Sequence, residues 1–437
     1  MELYLDKVES GDLFHTSKKS SSILSSFLVG IIVSCYFFPF ELYALPEGLN
    51  TKIMLAAVGI ALLGFDVIQR RSLVLKSTLL PLMLLALLFS MWGYIAMDIN
   101  HSHDDAYASY WISFSTWLLG AYTVISLIRY MHGYVHFNLL IDYLVAVCVA
   151  QCMIALLIDY IPAVKNVVDT YISQKTIIEV EFLEKVNRLY GIGAAVDVAG
   201  TRFSIVLIAL AAVLIKAKDR PNSATYVMLY WAAFVFIAIV GNMISRTTTI
   251  GMVMGLVYIL GNAHILYNEM PIENLRLWRT IILVTGLLAG IAMYYYHTDA
   301  VIREQLRFGF EGFFNWLEKG EWTTTSTERL NEVMWIWPDA DDYKTWIIGK
   351  ALFSNWHDVG TDIGYCRFVF YSGLLGLFTF SFFFVYNAWV GIQQFPTYRM
   401  FFFMLLALSF IIWFKVSTDL FLIYALFLCM DKEGQRK

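Results

Sequence analysis

The sequence predicts an all-α polytopic membrane protein, with about twelve transmembrane helices and one large extracytoplasmic loop between the ninth and the tenth. Three observations predict it. The 437 residues are 59% hydrophobic and only 15% charged, far outside the usage of a soluble domain. Apolar runs close to the roughly 20 residues that a bilayer core demands recur along the whole chain. Basic residues collect in alternate connections, as the positive-inside rule requires. The net charge of -4 leaves no global basic surface, so a nucleic-acid partner is not expected.

Taken in order, Lys18 and Lys19 precede an apolar run that continues past Phe40, longer than a signal-peptide core, which reads as a retained first span. The apolar segments cover residues 23–40, 52–69, 73–96, 109–128, 138–161, 201–216, 224–242, 248–266, 280–297, 365–391, 398–414 and 416–430. With an even number of spans and both termini cytoplasmic, Lys18, Lys19, Arg70, Arg71, Lys76, Arg129, Lys216, Lys218, Arg220, Arg276, Arg279, Arg399, Lys432, Arg436 and Lys437 all face the cytoplasm. The short outer loops then hold little beyond Lys52, Arg246 and Lys415. The organisation is a cytoplasmic tail 1–22, spans one to nine over 23–297 with an outer loop at 162–200, the large outer loop 298–364, three spans over 365–430, and a cytoplasmic tail 431–437.

Several connections carry candidate chemistry. Residues 175–189 mix charged residues with Ile, Val, Phe and Leu at helical spacing, which predicts an amphipathic surface helix. Gly191, Gly193 and Gly200 follow, flanked by Arg188 and Arg202; their amides can approach an anion, but without a βα context they are no nucleotide fingerprint. Arg246 lies in GNMISRTTTIG at a span margin, where it either snorkels or binds an anion with help from Ser245 and three threonine hydroxyls. The run His101-Ser102-His103-Asp104-Asp105 reads as a solvated loop, because one short loop rarely fixes four metal ligands. The five cysteines have no C-x-x-C spacing, and Cys148 and Cys152, on one helix face, read as packing residues; no metal or cofactor is expected.

The loop 298–364 holds Arg303, Arg307, Arg329, His357, Asp358 and Asp362. Ser326 and Thr327 open a short helix that carries Arg329. Trp322, Trp335, Trp337, Trp346 and Trp356 crowd the same loop, either to stack on sugar rings or to rest on the membrane surface. Beyond it, Gly373 and Gly376 permit close helix contact in the tenth span.

The order of SRTTTIG, STERL, WIIG and then DIGYCRFVFYSGLLG resembles the polysaccharide polymerase and O-antigen ligase superfamily, over about residues 190–380. The resemblance implies transfer of a glycan from an undecaprenyl diphosphate carrier to a sugar hydroxyl, on the periplasmic side of a bacterial cytoplasmic membrane, without a nucleotide sugar or a required metal. Its implied partners are the lipid-linked glycan, membrane lipids, a chain-length regulator and a lipid-glycan flippase. A departing lipid diphosphate suits fixed guanidiniums, so Arg202, Arg246 and Arg329, with Arg188 and Arg367 behind them, are the expected diphosphate ligands. Asp362, Asp358 and His357 are the expected catalytic groups that take the acceptor proton, with Asp197 an outsider. The ligase branch carries a histidine directly before an Asn-x-Tyr-Leu stretch; Thr361-Asp362-Ile363-Gly364-Tyr365 stands there instead, which favours a polymerase over a ligase. A lipid-glycan transporter is the non-enzymatic rival, although the spans show no inverted repeat and few mid-depth charges.

Overall fold

The computed structural model describes residues 23–72, 76–173, 188–217, 223–262 and 272–433. The tail 1–22, the basic residues Lys218, Arg220, Arg436 and Lys437, and the expected amphipathic helix up to residue 187 lie outside the described residues.

The chain is a helical membrane protein. Its first half runs α1 (Ile23–Phe37), α2 (Thr51–Arg70), α3 (Leu79–Asn100), α4 (Tyr110–His132), α5 (Phe137–Tyr160) and α6 (Pro162–Tyr171). Then come α7 (Val196–Ala217), α8 (Ser223–Ile244), α9 (Thr248–Asn262) and α10 (Ile272–Thr298). Five short helices follow in the large loop: α11 (Ala300–Gly309), α12 (Glu311–Lys319), α13 (Thr325–Val333), α14 (Tyr343–Ile347) and α15 (Trp356–Val359). The last three are α16 (Gly364–Gln394), α17 (Arg399–Ile412) and α18 (Phe421–Cys429). Eight of these, α2 to α5, α7, α8, α10 and α16, are long and apolar enough to cross a membrane, while α1, α9 and α17 are shorter apolar helices. A two-residue antiparallel ribbon, β1 (Glu41–Leu42) with β2 (Ile172–Ser173), ties the α1–α2 connection to the end of α6; no strand was expected there.

Burial sorts the helices into centre and rim. The apolar window of α7 is 89% buried, against 17% for α2 and 6% for α10, so α7 is the axis of the bundle and the other two face lipid. Around it α5, α8, α9 and α17 pack directly. A ring cluster knits α3, α4 and α16 to the end of α17: Phe380 stacks on Phe89 at 4.3 Å and on Trp413 at 5.6 Å.

Two departures from the expected spans shape the functional end. The expected span 416–430 contains only the nine-residue α18; an irregular segment, 413–420, precedes it. A nine-residue helix rises about 14 Å, too short for a bilayer core, and irregular backbone at such depth is tolerated only where protein or a water-lined cavity satisfies it. The Trp413 indole, which donates to Thr418 O, and the Tyr107 hydroxyl, which donates to Ser417 O, supply part of that satisfaction. The second departure is a break inside α16, where Ser372 and Gly373 leave helical geometry. The amides of Lys350 and Ala351 donate to the freed carbonyls of Phe370 and Tyr371 at 2.6 and 3.0 Å, so the large loop docks backbone to backbone on the broken span.

The loop 101–105 is not merely solvated. Asp104 accepts hydrogen bonds from the amides of Phe353 and Ser354 at 2.6 and 2.5 Å and from the Ser354 hydroxyl at 2.7 Å. Asn100 and Ser102 hold the carbonyls of Gly349 and Ala351. The connection between α3 and α4 is therefore a clamp on the large loop, with its acidic residue as the pin.

Burial pushes the Asp104 carboxyl up, but the bonds from Ser354, Phe353 and Ala106 outweigh it and hold the group below the usual carboxylate range. A carboxyl lowered on folding contributes stability above its unfolded value, about 3.9, and loses it as pH falls through the folded value. Amide exchange of residues 349–354 is therefore expected to stay slow from neutral pH to about 4 and to speed up below it, beyond the intrinsic pH dependence. In Asp104→Ala the same amides should exchange faster at every pH; protection equal to the parent protein's would show that the clamp holds nothing.

Candidate functional site

The site is built around the start of α7. Val196 adopts a left-handed backbone (φ 42°), rare for a β-branched residue, and sets Asp197 in the first turn of the helix. A carboxylate is favoured there by the unpaired amides of a helix N-terminus. Asp197 Oδ1 accepts from Lys415 Nζ at 2.8 Å, from the Thr247 hydroxyl at 2.5 Å and from the Ser245 hydroxyl at 3.2 Å. Lys415 Nζ also donates to the Thr247 hydroxyl at 2.8 Å. Three remote stretches meet on this one carboxylate: the α7 start, the α8–α9 turn and the irregular segment 413–420.

Two arginines stand beside it, both within electrostatic range of Asp197. The Arg246 and Arg188 guanidiniums lie against the ring of Phe308 on α11, at 4.2 and 4.9 Å from its centre. Arg246 is also ion-paired to Glu311 at the start of α12, and Glu311 accepts from the Thr325 amide at 3.1 Å. Burial lowers the pKa of both guanidiniums, while Asp197 and, for Arg246, Glu311 favour the charged form. The Nε atoms of Arg188 and Arg246 have no hydrogen-bond partner among the described residues.

Deeper along α7, Arg202 is 7% exposed, faces the Phe38 ring at 5.5 Å and is in electrostatic range of Asp419. Its Nη1 also has no hydrogen-bond partner among the described residues. Lys52, itself 4.6 Å from the centre of the Trp117 ring, feels the same Asp419. Arg367, on the first turn of α16, donates to Phe353 O, lies 4.0 Å from the centre of the Phe353 ring and is within electrostatic range of Asp362.

No protein-family model, curated protein or solved structure matches this chain.

Of the expected diphosphate ligands, Arg188 and Arg246 stand within electrostatic range of Asp197 at the start of α7, and Arg202 lies further along the same helix, in electrostatic range of Asp419. Arg367 stands apart on α16; Tyr107 is in electrostatic range of both Arg367 and Asp419. Arg329 is exposed on α13 and lines neither of the two cavities of this region. Asp362 is half-buried beneath Met334, whose sulfur accepts from its amide at 3.3 Å. Asp358 is exposed and accepts from Asn355 within its own turn. The His357 side chain lies outside the described residues.

Other expectations change. The Ser245 and Thr247 hydroxyls point at Asp197, and those of Thr248 and Thr249 at Gly241 O and Asn242 Oδ1, so they are occupied inside the protein rather than offered to an anion. The turn 191–194 likewise uses its amides internally: Gly191 N donates to Ala194 O, and Ile192 N to Gln151 Oε1. Gly193 (φ 67°) allows the chain to pass against the carbonyls of Phe38 and Pro39. Cys148 and Cys152 are fully buried packing residues. Three of the loop tryptophans form a row: Trp335 lies 5.9 Å from Trp337, which stacks on Trp346 at 5.8 Å, and Trp335 meets Phe414; the Trp356 side chain lies outside the described residues. Among the described residues no three His, Cys, Asp or Glu side chains gather as a metal site.

Two cavities lie in this region, the second bordered by Phe308. One, of about 270 Å³, takes in Arg188, Asp159 and Gln305; the other, of about 350 Å³, takes in Arg246, Arg307 and Glu311. The arrangement offers fixed positive charge, buried guanidinium nitrogens without partners among the described residues, and acidic groups in electrostatic range.

Proposed function

We propose that the chain is a glycan polymerase that transfers an undecaprenyl-diphosphate-linked oligosaccharide to a sugar hydroxyl of another lipid-linked repeat unit. The product would be an O-antigen, capsule or exopolysaccharide. In this reading about twelve crossings place both termini in the cytoplasm of a bacterium, and the α7 start, the α8–α9 turn and the large loop on the periplasmic side of its inner membrane. The observation that carries it is the set of four guanidiniums, Arg188, Arg202, Arg246 and Arg367, each with a buried nitrogen that has no hydrogen-bond partner among the described residues. Such donors favour a multiply charged leaving group, because they are positioned before the charge develops.

The step balances simply. An acceptor hydroxyl oxygen attacks the anomeric carbon, the bond from that carbon to the diphosphate oxygen breaks with its electron pair, and the hydroxyl proton passes to a carboxylate. Asp362, next to Arg367, is the group proposed to take it; Asp358 and His357 are further along the same loop. Asp197 already accepts three hydrogen bonds on one oxygen, which suits a residue that positions Lys415 and Arg188 rather than one that moves a proton.

The test is extension of a purified lipid-linked repeat by the detergent-purified protein. Ladders of increasing repeat number are expected without added nucleotide sugar. Deletion in the source cell should leave a single repeat on its anchor. A wholly unsubstituted anchor would assign ligation instead, and lipid-linked repeat stranded on the cytoplasmic side would assign transport.

A further inference from the structure

We infer that α12 is an interfacial helix whose apolar face lies in the lipid of the membrane surface at which α10 ends. The helix is amphipathic in the reverse of the sense that a water-exposed loop requires. Phe313, Trp316 and Leu317, at i, i+3 and i+4, share one face and are 44%, 51% and 59% exposed. The Phe313 and Trp316 ring centres lie 6.3 Å apart, so the patch is continuous. The polar groups are spent on the protein instead. Glu311 is ion-paired to Arg246, Asn315 donates to Thr323 O at 2.8 Å, and Glu318 is ion-paired to Arg307 at 2.8 Å. A helix that turns its polar groups inward and its large apolar groups outward calls for an apolar partner.

The depth of the helix identifies that partner as lipid. The lipid-facing α10 carries Tyr294 and Tyr295 near its end, 64% and 46% exposed, where an aromatic girdle meets the headgroups. Tyr296, in the last turn of α10, ties α12 to the same level. Phe314 stacks on it with ring centres 5.7 Å apart and planes 10° apart, and Arg307 donates to its hydroxyl at 3.3 Å. Arg303 donates to the carbonyls of Tyr296 and His297 at 2.9 and 3.2 Å, which satisfies the end of α10 and holds α11 against it. The apolar face of α12 is thus continuous with the lipid-facing surface of α10. Away from that face, Glu311, Phe314 and Asn315 line the second cavity. The helix is therefore a wall with lipid on one side and the Arg246 cavity on the other, whether or not the chain transfers glycans.

The test places an environment-sensitive nitrobenzoxadiazole fluorophore on one introduced cysteine at a time, in the full chain held in phosphatidylcholine nanodiscs. Leu317→Cys and Trp316→Cys carry it on the apolar face of α12, and Glu328→Cys carries it on the exposed, polar α13. The native Cys35 and Cys429 are half-buried, so the parent chain labelled in parallel sets the background. On both α12 variants the emission is expected to shift to the blue and to lose about half its intensity to a nitroxide near the headgroup end of the acyl chains. Aqueous iodide should quench them little. The Glu328→Cys label should behave in the opposite way. Both α12 positions are exposed and each label is a separate reading, so a variant that misfolds leaves the other to decide. Iodide quenching of the α12 labels equal to that of the Glu328→Cys label would overturn the inference. So would shielding from both quenchers, which would seat a second copy of the chain on this face.

Discussion

Arg246→Ala is expected to lower the rate of chain extension by about 10²–10³-fold while leaving most of the protein folded. Removing one positioned donor from a charge-stabilising site costs about that much. The guanidinium is 15% exposed and the Glu311 carboxylate it pairs with 23%, so the lost ion pair is only partly desolvated and costs less than a fully buried one. Arg246→Lys should recover only part of the rate, because an ammonium keeps the charge but loses the planar fork and its seat on the Phe308 ring. Glu311→Gln should move the other way in binding: with its carboxylate neutral, the diphosphate no longer has to displace it, and KM falls. Single-turnover and steady-state assays on the three variants separate these effects. If Arg246→Ala kept the parent rate, the guanidinium cluster would be structural and the proposed function would lose its main support.

The helical membrane fold was legible because its signal is local: hydropathy over about 20 residues identifies a crossing segment with no knowledge of its neighbours. The site was legible only in part. Arg188, Arg202 and Arg246 stood out as charges beside apolar runs, but their partners Glu311, Phe308 and Asp419 carry no local mark, since a glutamate or a phenylalanine in a polar loop is ordinary. A signal existed for Lys52 and Lys415. With Arg246, these were the residues that broke the otherwise regular distribution of basic residues between connections. In the structure all three belong to the charged network: Lys415 on Asp197, Arg246 on Glu311, and Lys52 facing Asp419. A cation beside an apolar span is retained where a fixed partner holds it. Arg329, by contrast, stood out because the short motif around it resembles the family's; a motif says nothing of where a helix packs, and α13 leaves it exposed.

Gly373→Ala is expected to destabilise the protein by about 3–5 kcal/mol, in the range reserved for specific packing or backbone conflicts. Gly373 sits at φ 61° and ψ -168°, a region essentially restricted to glycine. A Cβ there would also lie 2.2 Å from Ile347 O and 2.3 Å from its carbonyl carbon. That backbone cannot step aside cheaply. The next residues of the chain are fixed by the Lys350 and Ala351 amides on α16, by Asn100 on Gly349 O and by Ser102 on Ala351 O. Gly286→Ala is the proper comparison, since nothing lies within 4 Å of a Cβ at Gly286 and α10 faces lipid there. That change should be neutral or stabilising by up to about 1 kcal/mol, the helix-propensity difference between the two residues. Denaturation in detergent, followed by tryptophan fluorescence, measures both. A Gly373→Ala protein within about 1 kcal/mol of the parent would mean that residues 347–351 leave α16 at little cost. The large loop would then be a lid that lifts from a broken span. The expected loss instead makes the loop and the broken helix one rigid scaffold, against which Arg367 and Asp362 are held in place.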